Sequence, residues 1–268
     1  MAAALAALLV LAAGYFYYGR GDASQPRAKD ASAGEKNPLL AKAQDYYQEK
    51  NHKRAMVAAK ELLSLEPGNA GAQVLVGRIL IAEERPREAI EAVRQALDID
   101  PNLTDALAVL GQVHLLSGQW GEALAASRKA LIRDPALGLP YRVIGEVYLL
   151  QGREDDSIAV FEEARKLLPP HVDLLQKLGG AYIRNKDFPK AQAVLTDALK
   201  LDPGDASVHF NLARVYAETG NGPAAIRHME MSERLYTEGE QTFWAAKARH
   251  NKLAIVRLFH MTPDSITP

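Results

Sequence analysis

The sequence predicts an all-α right-handed superhelical solenoid of six helix-turn-helix repeats plus a C-terminal capping helix, with one N-terminal transmembrane helix ahead of them. Three observations carry that expectation. Pro67, Pro101, Pro135, Pro169 and Pro203 stand 34 residues apart, a period that belongs to stacked helix pairs. Small residues recur at fixed offsets from those prolines. The chain opens with an uncharged apolar run.

Composition sets the outer bounds. With 48% hydrophobic and 24% charged residues over 268 positions, the chain is apolar enough to bury a core and unlike a disordered segment. Its 32 Lys+Arg balance 33 Asp+Glu. No basic excess marks a nucleic-acid partner, so none is expected. The absence of cysteine excludes a disulfide scaffold, a thiolate zinc site, an iron–sulfur cluster and a catalytic thiol. It leaves the redox compartment open.

Residues 1–19 read as the membrane anchor. Ala2 to Tyr18 carries no charge, and its helix would reach about 26 Å, slightly short of the hydrocarbon core. Tyr15, Tyr17 and Tyr18 gather at its end, where an interfacial aromatic belt sits, and Arg20 follows. A cleaved signal peptide is the alternative, but it calls for a basic start, and here the α-amine is the only positive group. The flanking cations Arg20, Arg27, Lys29 and Lys36 all follow the segment. That places the repeats on the cytoplasmic side of an inner membrane, with the periplasm as the alternative. Residues 20–35 form a flexible linker with a reach of about 20–25 Å. Its Arg20-Gly21-Asp22 triplet is read as a polar flank.

The repeats occupy 36–69, 70–103, 104–137, 138–171, 172–205 and 206–239. With each proline as position thirty-two, the eighth position reads Ala43, Gly77, Gly111, Gly145, Gly179 and Ala213. The twentieth reads Ala55, Ala89, Ala123, Ser157, Ala191 and Ala225, and the twenty-seventh Leu62, Ala96, Ala130, Ala164, Ala198 and Ser232. The eleventh is large: Tyr46, Leu80, His114, Tyr148, Tyr182 and Tyr216. Small residues let two helices approach, a large one fills the space between them, and proline ends the second helix. One repeat cannot bury its own apolar face, whereas stacked neighbours can.

These residues identify the chain as similar to the tetratricopeptide-repeat family over 36–239. The first and sixth repeats are cap-like: Leu62 replaces a small residue, and Thr237 stands where proline is expected. Residues 240–260 read as a capping helix whose apolar side is Ala246, Leu253, Val256 and His260, and 261–268 as a loose tail. The N-terminal Gly14-Tyr15…Tyr18-Gly19-Arg20 resembles the bacterial lipopolysaccharide-assembly regulators of this family, inner-membrane proteins with cytoplasmic repeats. Those carry a four-cysteine metal ribbon that this chain lacks.

No constellation calls for catalysis, a metal or a cofactor, and no enzyme activity is expected. The seven histidines show no metal-binding spacing. Glu154-Asp155-Asp156 reads as acids at a helix N-terminus. Asn102-Leu103-Thr104 matches a glycosylation sequon, but Thr104 is expected as a helix N-cap. Lys247, Arg249, His250, Lys252 and Arg257 on the last helix read either as a solvated face or as a patch for phospholipid or an acidic partner.

The family resemblance implies that the first helix of each repeat lines a concave groove, with contacts at positions two, five, nine, twelve and thirteen. Carried over, these give Tyr47, Arg78, Gln112, Leu115, Arg142, Glu146, Leu149, Gln176, Arg184 and Arg214 as partner-binding residues. Arginines beside leucines suit an extended peptide with apolar anchors and a carboxylate. An equal alternative is that several of the leucines simply pack between helices. Leu40 and Gln44 stand where the family's chaperone-tail binders carry a Lys/Asn clamp, so that ligand is not expected. The function expected is a membrane-anchored scaffold or adaptor that binds a protein or peptide partner, in bacterial envelope or secretion/pilus assembly. A self-associating homo-oligomer and a substrate-presenting subunit of an enzyme complex are the alternatives.

Overall fold

The structure, a computed structural model, describes residues 37–259. The expected anchor, the linker and the tail lie outside the described residues. Among those residues the regular structure is entirely α-helical, in thirteen helices. They are α1 (Pro38–Gln48), α2 (His52–Leu65), α3 (Ala70–Ala82), α4 (Pro86–Ile99), α5 (Thr104–Leu116), α6 (Trp120–Arg133) and α7 (Gly138–Leu150). There follow α8 (Glu154–Leu167), α9 (Val172–Arg184), α10 (Phe188–Leu201), α11 (Ala206–Glu218), α12 (Gly222–Glu238) and α13 (Thr242–Leu258). None of the described helices is long and apolar enough to cross a membrane.

The chain divides into two compact units, 1–147 and 148–268, with the boundary inside α7. In the N-terminal unit α1 packs on α2, α2 on α3, α3 on α4, α4 on α5 and α5 on α6. The odd-numbered helices also touch in sequence, α1 on α3 and α3 on α5. The C-terminal unit repeats the scheme from α8 to α13, with α9 against α11. A first helix is therefore enclosed by its own partner, the preceding second helix and the next first helix. Burial follows: α3 buries eight residues and α4 four, Ala89, Ala92, Val93 and Ala96.

The small positions form the contact surfaces. All six residues at the twentieth position and all six at the twenty-seventh have 0% exposure. At two glycines of the eighth position, Gly77 and Gly179, the approach leaves no room even for a methyl. A Cβ on Gly77 would lie 2.5 Å from Val93 Cγ2, and one on Gly179 2.6 Å from the Leu195 side chain.

Each helix pair is joined by three residues, and the middle one has positive φ: Lys50 58°, Glu84 60°, Gly118 71°, Gly152 71°, Lys186 60° and Gly220 82°. The third turn residue donates its N–H to the carbonyl five residues back, for example Asn51 to Tyr46 at 2.8 Å and Asp187 to Tyr182 at 2.9 Å. This left-handed C-terminal closure satisfies the orphan carbonyls of the first helix. The same residue then opens the second helix. Asn51, Asp187 and Asn221 each cap it with a side-chain oxygen.

Two local expectations are corrected. Thr104 is the first residue of α5 rather than its cap; Leu103 holds the cap position, and the Thr104 hydroxyl reaches only back to the Asn102 carbonyl at 3.5 Å. In α13 the buried side is Ala245, Ala248 and Ile255, whereas Ala246 and Leu253 are exposed. The anchoring points are aromatic and sit at both ends. Trp244 stacks on Tyr236 with ring centres 6.0 Å apart, and Phe259 fills the space beside Gly222. In α12, with Thr237 in place of proline, the helix runs on for 17 residues instead of the usual 14.

Gly179→Ala forces the Leu195 side chain to move and should destabilise the protein by about 1–3 kcal/mol. Lys186→Gly relieves a left-handed non-glycine residue and should stabilise it by about 0.5–1 kcal/mol. Urea midpoints of the two variants check both signs, and a destabilised Lys186→Gly contradicts the turn account.

Candidate functional site

The side chains expected in the groove fall on first helices in both units. In the N-terminal unit Tyr47 lies on α1, Arg78 on α3, Gln112 and Leu115 on α5, and Arg142 and Glu146 on α7. Arg78 forms an ion pair with Asp105 of α5. Burial raises the Tyr47 hydroxyl pKa, while the Arg78 and Arg142 charges pull it down and Asp105 opposes them. Tyr47, Arg78, Asp105 and Arg142 therefore belong to one electrostatic cluster spanning four first helices. Gln112 and Glu146 are half-buried beside their own helix faces. Leu115 is buried, with Ile81, among the helices of this unit, so it serves packing.

In the C-terminal unit Leu149 contributes its carbonyl rather than its side chain. Arg184 donates to that carbonyl at 2.7 Å and pairs with Glu154 at 3.0 Å. Arg184 thus closes the C-terminal end of α7 and holds the acidic start of α8. Asp155 and Asp156 are also engaged, by Asn185 at 3.0 Å and Arg153 at 2.7 Å. Gln176 is buried, and its Oε1 has no hydrogen-bond partner. Arg214 on α11 is exposed. Asp105 and Glu154 are the residues that pattern reading missed. Each lies in the first turn of a helix, 27 and 30 residues from its arginine, and no local spacing in the sequence signals either pairing.

A 34-residue period, paired helices, left-handed three-residue turns and contact surfaces of alanine and glycine are now all in place. Two sequence profiles described as tetratricopeptide repeat match the chain, one over residues 40–104 and 109–171, the other over 80–136 and 184–249. The chain belongs to the tetratricopeptide-repeat family. Proteins of this kind are in general non-enzymatic scaffolds for protein–protein interaction, and this tetratricopeptide-repeat chain has that architecture.

Solved structures share the fold. A chain of the APC/C hetero-tetramer Cut9–Hcn1 is 21% identical at a TM-score of 0.69 and covers 78% of this chain, which spans 42% of that one. Pseudomonas aeruginosa pilF is 17% identical at a TM-score of 0.65, covering 80% of this chain and 96% of its own. PilW, described as a widely conserved type IV pilus biogenesis factor, is 18% identical at a TM-score of 0.57, covering 73% and 96%. At such identities the likeness is one of fold. No curated protein matches the chain in sequence. None of these comparisons shows the likeness of the N-terminal segment to lipopolysaccharide-assembly regulators.

One titratable pair stands apart from the groove. His209, 8% exposed, places Nε2 3.0 Å from the Pro203 carbonyl and Nδ1 2.9 Å from Nδ1 of His228. The carbonyl accepts, so His209 donates from Nε2, and its Nδ1 must accept the proton of His228. Tyr216 stacks on His228 with ring centres 5.3 Å apart. Burial first, then the neighbouring His209 and Arg227, lower the His228 pKa to about 4. The unfolded chain takes up this proton near pH 6.5, so stability is lost as pH falls from there toward 4. Urea midpoints between pH 7 and pH 4 should fall less steeply for His228→Gln than for the wild type. Parallel slopes would remove His228 as the cause.

Proposed function

We propose that this protein is a non-enzymatic, membrane-anchored adaptor that recruits a protein partner through its first-helix faces, in bacterial envelope or secretion/pilus assembly. The observation that carries the reading is the set of side chains on those faces. Tyr47, Arg78, Gln112, Arg142 and Glu146 in one unit, and Gln176, Arg184 and Arg214 in the other, sit among aliphatic residues already committed to packing. Such a face offers a partner a polar pattern on a rigid apolar support, which is how helix and peptide ligands gain specificity. Two of the solved relatives, pilF and the pilus biogenesis factor PilW, are compatible with an assembly role.

Much of the positive charge on these faces already has a counter-ion, Asp105 for Arg78 and Glu154 for Arg184. A ligand acid would exchange with an internal acid at those points, so recognition there depends on displacement as much as on attraction. Charge reversal of Arg78, Arg142 and Arg214 to Glu in the full chain should remove captured partners in a pull-down, with helicity by circular dichroism unchanged. Partners that persist would defeat the first-helix reading.

The apolar run of residues 2–18 supports a single-pass anchor in the inner membrane, with the repeats in the cytoplasm. Alkaline phosphatase fused to the C-terminus should be inactive in cells. Activity would place the repeats in the periplasm.

A further inference from the structure

The last helix is built as the second member of a hairpin. A three-residue turn joins it to α12, its middle residue Glu240 has φ 57°, and Gln241 donates its N–H to the Tyr236 carbonyl at 2.8 Å. The turns inside the repeats have the same features. α13 packs on α12 and buries Ala245, Ala248 and Ile255 against it. Helical spacing gathers Phe243, Ala246, His250, Leu253, Ala254 and Arg257 into an arc of about 100° on the opposite side. All six are exposed. Phe243 leaves 52% of its surface in solvent, Leu253 50% and Leu258, at the edge of the arc, 66%. No other described helix shows three large apolar side chains so exposed.

The charge on α13 is also distinct. The helix holds four Lys or Arg residues and one His but no Asp or Glu, in a chain of net charge −1. Each of α2, α4, α6, α8, α10 and α12 contains at least one acid. The basic residues divide by direction. Arg249 and Lys252 reach to α12, where both meet Glu233, at 2.6 Å and 2.9 Å. Lys247 lies along an aromatic face, its Nζ 4.5 Å from the Trp244 ring centre. His250 and Arg257 stand within the exposed arc and form no hydrogen bond or ion pair among the described residues.

Cations interleaved with apolar side chains on one convex face resist burial in an ordinary protein interface, because covering the apolar groups desolvates the charges. A second copy meeting this face about a two-fold axis would set a purely basic helix against itself. An anionic bilayer surface satisfies both kinds of group at one depth. Its phosphates meet the basic heads, which extend on flexible stems, and the boundary with the acyl chains takes Phe and Leu. Phe243 and Leu258 are separated by about 22 Å of helix, so such a helix lies flat in the interface.

We propose that the exposed face of α13 docks on an anionic phospholipid surface, with Phe243, Leu253 and Leu258 in the interface and Lys247, His250 and Arg257 at the phosphates. The proposal rests on the membrane-anchored reading for the proximity of a bilayer, and adds to it a second contact from the C-terminal unit. Attachment at one point makes the docking of α13 an intramolecular step, so a weak interfacial helix suffices.

The chain has no cysteine, so Leu253→Cys in the full chain takes a single environment-sensitive fluorophore. Ile132→Cys, at an 81% exposed position on α6, is the control. Both are reconstituted with vesicles of phosphatidylcholine alone or mixed equally with phosphatidylglycerol. The label at 253 should turn blue and be quenched by bilayer-buried nitroxide lipids on the anionic vesicles only, and 1 M salt should reverse this. The label at 132 should stay wet on both. Arg257→Glu should lower the ratio of docked to undocked label about 25-fold, at about fivefold per unit of charge. Arg257→Lys should stay within threefold, and circular dichroism should show equal helicity in both variants. A label at 253 that stays wet on anionic vesicles, turns blue equally on neutral ones, or ignores Arg257→Glu overturns the proposal. So does a blue shift that rises with protein concentration in detergent without lipid, which assigns the face to a second copy. A blue shift with soluble polyglutamate but not with anionic vesicles assigns it to an acidic protein and also overturns the proposal. Flotation with neutral vesicles reads the anchor separately: its failure removes the anchor, while the label on anionic vesicles still decides α13.

Discussion

Close approach of backbones at a few methyl-sized positions governs the rest of this molecule. Two α-helices pack at 8–10 Å according to the side chains between them. Here those side chains are alanine, serine or nothing at all, apart from Leu62 in the first repeat. The twentieth and twenty-seventh positions have no exposed surface in any of the six repeats, and Gly77 and Gly179 leave no space for a Cβ. Such contacts bury little area each. Their effect is geometric, because they hold the larger neighbours Leu80, His114, Tyr148 and Tyr182 at distances where these are 5–8% exposed. Stability then accumulates interface by interface along each unit.

The turns convert that spacing into direction. A three-residue link with one left-handed residue brings the second helix back alongside the first. The N–H that closes the first helix belongs to the residue that opens the second. Where the third turn residue is Asn or Asp, a single residue therefore ends one helix and caps another. Where it is Arg85 or Arg153, the guanidinium pairs with an acid three residues on, Glu88 at 2.7 Å and Asp156 at 2.7 Å. These pairs are solvent-exposed and contribute little energy. Their use is in fixing the first turn.

The fold was legible because it is written in residues whose size alone matters, repeated at one period. Proline positions, small residues and turn glycines all speak about local geometry, and six copies remove the ambiguity of one. The polar network was not legible, for the opposite reason. The Arg78–Asp105 pair spans 27 residues and the Arg184–Glu154 contact 30, so neither falls within one helix, and each is made only when two repeats stack. The His209–His228 pair spans 19 residues and is made inside one hairpin, when α11 and α12 close on each other. The buried side of α13 was misread because Leu253 is the more apolar choice on composition. The packing is decided instead by Trp244 and Phe259 at the helix ends, whose partners Tyr236 and Gly222 lie on α12.

Charge distribution on the first helices separates holding from waiting. An arginine with a nearby carboxylate, such as Arg78 or Arg184, gains most of its electrostatic benefit inside the protein, and replacing that carboxylate by a ligand's returns only a difference. A cation without one has the whole interaction in reserve. At the end of the C-terminal unit the same economy holds, since Glu233 meets both Arg249 and Lys252. That acid lies on α12 and fastens α13 to it through both cations. Docking the helix and covering the apolar side of the sixth repeat, where Ala245, Ala248 and Ile255 join the cluster of Ala213, Ala225 and Met229, are thus two consequences of one placement of charge and apolar surface.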